Sequence, residues 1–227
     1  YLELPDGTYA YGPLVPYSVQ AYCEGRLEKS SNEKLKNTCA ALLHFGSAAQ
    51  KYFKYNTEDL ANANIAKNWP DYSSALDKFA FNESYVDGLP ETIDTNIVQS
   101  ANVENTGRTL SLAGAIFVNY YYKVDFTPVE AELLFWEDVN GTLTVDNVTS
   151  TGELTLVEGE YKGQSREFAA KEYGKVIYAC ARFVDVDGNV YYSDVAAYNA
   201  EEYAFGRINK SSNANLVETC KWMIVYG

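Results

Sequence analysis

The sequence has a single histidine, His44, among its 227 residues. A Ser-His-Asp triad or a histidine-rich metal site has almost nothing to draw on. Basic residues are the minority charge, 18 against 31 acidic ones, and the formal net charge is −13. Nucleic acid and anionic membranes are recognised by clustered lysine and arginine, so this balance argues against both. No apolar run approaches the roughly 18 residues of a membrane-spanning helix. The four cysteines, Cys23, Cys39, Cys180 and Cys220, include no C-x-x-C pair, the usual zinc spacing. No phosphate-binding loop, dinucleotide fingerprint or nucleophile elbow is present. No cofactor and no metal are expected.

What is abundant is apolar and aromatic. Hydrophobic residues make up 47% of the chain and aromatics 15%, more than a disordered chain carries. The length suits one large domain or two small ones. Tyrosine stands out at 20 residues, beside 10 Phe and 3 Trp.

The sequence also repeats itself. Shifted by 181 positions, residues 1–46 fall on 182–227 without a gap and with 15 identities. Asp6-Gly7 meets Asp187-Gly188, Tyr17 meets Tyr198, and Tyr22 meets Tyr203. Gly25-Arg26 meets Gly206-Arg207, and Lys29-Ser30-Ser31-Asn32 meets Lys210-Ser211-Ser212-Asn213. Leu35, Thr38, Cys39 and Gly46 meet Leu216, Thr219, Cys220 and Gly227. Fixed-period self-similarity marks repeated architecture. The chain therefore reads as a piece of a longer array whose unit is about 181 residues. An old duplication within a self-contained protein is the other reading.

Local patterning gives a coarse map. Residues 1–16 read as a β-hairpin remnant of a preceding repeat, turning at Asp6-Gly7 and ending at Pro13 and Pro16. Residues 17–85 read as a helical cluster. Val19, Tyr22, Cys23, Arg26 and Leu27 keep helical spacing, and Ser30 with Glu33 predicts a capping box for a second helix. That helix carries Leu35, Cys39, Leu42, Leu43 and Phe45, with Gly46 allowing close packing. Thr57 is expected to cap a short helix through Leu60 and Ile65. Trp69-Pro70 predicts a break, and Ser73 to Phe81 a further helical turn or two.

Residues 91–197 read as an all-β, antiparallel, immunoglobulin-like sandwich. Leu110–Phe126 alternates, with Ile116, Val118, Tyr120, Tyr122, Val124 and Phe126 on one face. Glu132–Trp136 is a strand, and Asn140-Gly141 turns into Thr142–Val145. Glu153–Val157 and Glu167–Ala169 are further strand candidates. Val176–Val184 and Val190–Ala197 form a hairpin about Asp187-Gly188. Asp185-Val186-Asp187-Gly188-Asn189 could suggest a calcium loop, but the flanking alternation makes it a turn. Residues 198–227 repeat the helical segment of 17–46. The fold class is α+β.

Several stretches then carry a resemblance. Leu43-His44-Phe45-Gly46-Ser47-Ala48-Ala49-Gln50-Lys51-Tyr52-Phe53-Lys54-Tyr55-Asn56 resembles an L-N-Y-G-A-A-A-Q-x-Y-F-x-Y-N signature, with His44 and Phe45 in place of Asn and Tyr. Val190-Tyr191-Tyr192-Ser193-Asp194-Val195 followed by Tyr198, and Ala169 to Gly174, are similar to companion motifs. Together they resemble β-sandwich-plus-helix modules of large secreted or surface proteins of gut anaerobic Firmicutes, some of them starch-adherence proteins of the amylosome. That resemblance implies an extracellular setting and maltooligosaccharide capture between sandwich and helices. It transfers no binding residue.

Sugars present C–H faces to aromatic rings and hydroxyls to polar neighbours. Rings outside regular core positions are the natural platform. Trp69 and Tyr72 flank a proline break. Trp136 ends a strand before a turn, and its face-mates Glu132 and Leu134 leave burial and exposure open. Tyr121 shares a face with Asn119, Lys123 and Asp125. These four are the candidate ligand-binding residues. Glu132, Glu137, Asp138 and Glu202 could supply a glycosidase pair, but their spacing reads as solvated faces, and no catalytic residue is assigned. Cys39 and Cys220 occupy apolar stripes as buried thiols. Cys23 and Cys39 lie on adjacent helices, where a disulfide and two thiols are both open.

Two functions follow as expectations. One is a non-catalytic carbohydrate-binding module for a starch-like α-glucan, in a secreted multidomain protein. The other is a structural spacer or adhesion repeat without a glycan. The expected partners are a polysaccharide or oligosaccharide and other domains of the same protein, with no nucleic acid and no membrane span.

Overall fold

The computed structural model describes residues 2–12, 16–65, 89–112 and 115–227. The chain divides into two compact units, Tyr1–Ala75 and Leu76–Gly227. Among the described residues there are four α-helices and three antiparallel sheets, so the class is α+β as expected.

The first unit opens with the expected hairpin, β1 (Leu2–Glu3) and β2 (Tyr9–Ala10). Gly7 takes φ +81°, a region that glycine enters without Cβ strain. The Asp6 carboxylate accepts from the Thr8 amide at 3.0 Å and its hydroxyl at 2.7 Å, closing the turn. Helix α1 (Val19–Lys29) is capped by Ser18, whose hydroxyl accepts from the Ala21 amide. Helix α2 (Glu33–Phe53) packs on it through Cys23 and Leu27 against Cys39, Ala40 and Leu43. The cap of α2 corrects the expected capping box. Asn32, not Ser30, accepts from the Leu35 amide, while Ser30 braces the Asn32 amide. Asparagine caps about as well as serine, and Asn32 stands directly before Glu33, where its side-chain oxygen reaches the orphan Leu35 amide.

Residues 43–56 carry α2 into a tight loop. Lys54 ends α2 in the left-handed region and Asn56 repeats it, with φ +54° and +47°. Gln50 holds the resulting loop. Its amide donates to the Asn56 and Asp59 carbonyls at 3.1 and 2.9 Å, and its oxygen accepts from the Ala61 amide at 2.8 Å. Gly46 lets the loop close in, since a Cβ there would stand 3.4 Å from that of Ala61. The expected helix from Thr57 does not form. Residues 54–64 are turns wrapped on Gln50, and local cap propensity loses to these bonds. The break at Trp69-Pro70 and the helical turn from Ser73 lie outside the described residues.

All four cysteines are buried free thiols. Burial, and then the neighbouring Cys39, pushes Cys23 up to about 12, and burial likewise pushes Cys180 and Cys220 up to about 12. A thiol that neither ionises nor meets solvent is a poor nucleophile. Titration of the native protein with a disulfide reagent at pH 8 should find no fast-reacting thiol, and unfolding should release all four. A rapidly reacting thiol in the native protein would contradict the packing.

The second unit is built on two sheets. The first has the order β10 (Val190–Tyr192), β9 (Ile177–Val184), β5 (Glu130–Trp136), β6 (Ser150–Glu153), with β11 (Ala196–Tyr198) also pairing β9. The second has the order β3 (Val103–Ser111), β4 (Phe117–Val124), β8 (Glu160–Gln164), β7 (Thr155–Val157). Their inner faces meet. The Tyr120 and Phe135 rings lie 5.9 Å apart, and Tyr161 and Phe183 5.1 Å apart. Ile116, Val118, Tyr120 and Tyr122 are buried, as alternation predicts.

Three strand expectations are corrected. Leu110–Phe126 is two strands, with Leu110 near the end of β3. Val103–Ser111 is polar and bulged, so it hides from a hydrophobic pattern. Asn140-Gly141 turns, but Leu143 bridges Thr95 in parallel instead of folding back on β5, and β6 makes that pairing. Residues 165–169 hold no strand.

Two helices complete this unit: α3 (Ala200–Lys210) directly after β11, and α4 (Ala214–Tyr226). They reproduce α1 and the first part of α2 at the 181-residue offset, cap for cap. Asn213 has φ −84° and ψ 102°, against −86° and 103° at Asn32. Ser211 braces the Asn213 amide at 3.1 Å, as Ser30 braces Asn32 at 3.1 Å. The β9–β10 hairpin pairs Phe183 with Tyr191 and Val184 with Val190, the register of Leu2 with Ala10 and Glu3 with Tyr9. The repeat read in the sequence is a repeat in three dimensions. No helix among the described residues is long and apolar enough to cross a membrane.

Candidate functional site

Two β-bulges and one helix face converge on a cleft of the second unit. The first bulge is in β3, where pairing with β4 slips between Asn105 and Gly107. Gly107 adopts φ +154°, and its amide donates to the Asn105 side chain at 3.2 Å. The second lies between β10 and β11. Tyr192 pairs Arg182, yet Ala196 pairs Ala179, so one extra residue is accommodated. Ser193 fills the gap, its hydroxyl accepting from the Ala181 amide at 2.9 Å and donating to the Asp194 carbonyl at 2.8 Å. Bulges re-aim side chains and recur beside functional sites. Here they bring Asn105 and Asp194 to the same cleft.

Helix α3 supplies the other wall. Asn199 caps it, accepting from the Glu202 amide at 2.7 Å, and the Glu201 amide bonds the Tyr173 carbonyl at 3.1 Å. Tyr203, Gly206, Arg207 and Lys210 then stand at i, i+3, i+4 and i+7, one face of the helix. The Arg207 guanidinium lies 4.9 Å from the Tyr203 ring centroid. Arg108 ties the walls together. It donates to the Ala197 carbonyl at 2.8 Å and lies 5.4 Å from the buried Tyr198 ring. The cleft measures about 550 Å³, within the range of small-ligand sites. Its lining mixes donors from Arg108, Arg207, Lys210 and Asn105 with acceptors from Asp194, Glu202 and Asn105. The Asp194 Oδ1 is enclosed, with no hydrogen-bond partner among the described residues.

No family model, no curated protein and no solved structure matches the chain.

The residues singled out from sequence fall elsewhere. Trp136 is corrected outright: it is fully buried and presents no face to a ligand. Its indole N–H donates to the Thr144 carbonyl and to Asn147 Oδ1, both at 2.9 Å. The outer face of its sheet is covered by Leu143, Ile93, Ile97, Val139 and Val148, so both faces of β5 are core. Trp69 and Tyr72 lie outside the described residues. Tyr121 is half-buried on the outer face of the four-stranded sheet, with the Lys162 ammonium 5.6 Å from its ring centroid. Beside it runs a polar row, Gln164 donating to Asn119 at 3.1 Å and Asn119 to Thr109 at 3.3 Å. Tyr121 and Trp136 are on different sheets and are not brought together.

The cleft residues carried one sequence signal. Tyr22, Gly25, Arg26 and Lys29 recur as Tyr203, Gly206, Arg207 and Lys210, and Arg26 sits 5.0 Å from the Tyr22 ring centroid just as Arg207 sits over Tyr203. This identity lies on a polar helix face that the core does not need. Asp194 has Pro13 as its counterpart, so the complete lining belongs to the second unit alone.

Of the four carboxylates considered for a glycosidase pair, Glu202 lines the cleft, and Glu132, Glu137 and Asp138 are tied into ion pairs. Arg182 holds Glu132 at 2.6 Å. Glu137 meets Arg166 at 2.7 Å and Lys175 at 3.0 Å, and Lys175 also holds Asp138. Burial pulls the Glu137 carboxyl up, but hydrogen bonds from Arg166 and Lys175 outweigh it and hold it below the ordinary 4.5. Hydrogen bonding from Arg166 lowers Glu172 as well. A carboxyl lowered on folding stabilises the protein above its unfolded value, and the gain is lost as pH falls through the folded one. The melting temperature should therefore drop on going from about pH 5 to about pH 3, and less steeply in Glu137→Gln. Parallel pH profiles would show that the network contributes nothing.

Proposed function

We propose that the chain is a non-catalytic carbohydrate-binding module for a neutral, starch-like α-glucan, with the ligand in the cleft between β3 and α3. The observation that carries this reading is the lining. Cationic and anionic groups are nearly balanced there, which favours neither an anion nor a cation. A neutral polyhydroxyl ligand donates and accepts at every hydroxyl and can satisfy both sets. Tyr203 offers a ring for a sugar C–H face, and Glu202 and Asn105 supply acceptors in the lining. The two facing sheets are read as an immunoglobulin-like sandwich and the setting as secreted or cell-surface, in keeping with the resemblance of the signature stretches.

Affinity electrophoresis tests the reading. Migration should be retarded in amylopectin but not in unrelated glycans, and Tyr203→Ala should cut affinity roughly tenfold, about 1.4 kcal/mol. No retardation by any glycan would overturn it.

A second reading, a structural spacer or adhesion repeat, is favoured by the equivalence of residues 2–46 and 183–227. Tandem units of this kind hold other domains apart without any ligand. Loss of glycan binding with rigid, extended tandem copies in small-angle scattering would select it.

A further inference from the structure

The two copies of the repeated element have the same conformation and opposite environments. Tyr198 is 5% exposed, whereas its counterpart Tyr17 is 77% exposed. Ala200 is fully buried, whereas Val19 is 55% exposed. Phe183 is fully buried, whereas Leu2 is 66% exposed. Caps, hairpin register and the arginine-on-tyrosine stack are nevertheless shared.

In the second unit the cover is known. Phe183 pairs with Ala131 of β5 and meets the Tyr161 ring. Arg108 from β3 stacks on Tyr198 and bonds the next carbonyl back. The Tyr173 carbonyl receives the first turn of α3. A face of this kind is stable against water only at a cost, since each large apolar side chain left exposed forfeits about 1.5–3 kcal/mol of burial.

We propose that hairpin β1–β2 and helix α1 form a docking surface for a second two-sheet body of the kind formed by residues 89–181. That body would sit as the β9–β10 hairpin and α3 sit on their own sheets. Tyr17 takes the place of Tyr198 under an arginine equivalent to Arg108, and Leu2 that of Phe183 against a strand equivalent to β5. The occupant follows from the covered copy and does not depend on the glycan reading.

The test places a copy of residues 89–181 ahead of the full chain, so that Tyr1 follows a second Ala181, and measures amide exchange over residues 17–29. Docking should slow exchange there by roughly tenfold or more relative to the unextended chain. Tyr17→Asp with Val19→Asp should restore the fast rate in the extended chain while leaving the melting temperature of the unextended chain nearly unchanged. Unchanged exchange in the extended chain overturns the proposal, whether the added segment stays unfolded or folds apart. Protection that rises with concentration in the unextended chain also overturns it, because the face would then belong to a second copy of itself.

Discussion

Replacing Trp136 with alanine should destabilise the second unit by about 3–5 kcal/mol, a large share of the ~5–15 kcal/mol that holds a domain folded. The indole is fully buried in a cluster with Leu134, Leu143 and Cys180. Truncation removes that packing and leaves a cavity. It also strips a donor from the Thr144 carbonyl and from Asn147. Trp136→Phe separates the two losses. It keeps most of the volume and forfeits the N–H, so it should cost about 1–2 kcal/mol. Asn147 Oδ1 would still receive the Thr144 amide at 2.8 Å. Urea unfolding gives both values. A cost for Trp136→Ala below about 1 kcal/mol, the level of ordinary surface changes, would remove this residue from the core and reopen it as a ligand platform.

Gly163→Ala should cost about 1–3 kcal/mol by overpacking. Gly163 lies in β8 where the two sheets come closest. A Cβ there would meet Leu133 Cδ1 at 2.5 Å, the Glu153 carbonyl oxygen at 2.9 Å and Leu154 Cδ2 at 3.0 Å. The leucine ends can swing away, but the carbonyl belongs to the backbone and must carry its strand with it. The double variant with Leu133→Ala should therefore be less destabilised than the sum of the singles, with part of the penalty retained. Strict additivity would mean that the sheets adjust freely and that the close approach is not a constraint.

Legibility in the sequence followed locality. The turn at Asp6-Gly7 and the helical hairpin depend on neighbours a few positions apart, and each appears where the pattern puts it. Trp136 was ambiguous because a strand pattern shows two faces but not whether both are covered. The cover comes from Ile93, Ile97 and Leu143, segments of irregular structure with no periodicity to read. Strand β3 escaped because its Glu, Asn, Thr and Arg residues look like a loop, and its pairing is supplied by β4. The cleft was the hardest case. Arg108 and Ala197 are 89 positions apart, and the bulges that aim Asn105 and Asp194 exist only once the strands pair. Only the α3 face was announced, through its copy in α1.

The sharpest test of the cleft is a nuclear magnetic resonance titration of the full chain with maltooligosaccharides. The account predicts shift changes concentrated at Asn105, Asp194, Tyr203 and Arg207, absent in Tyr203→Ala. Perturbations centred on Tyr121 and Asn119, or none at saturating sugar, would contradict it.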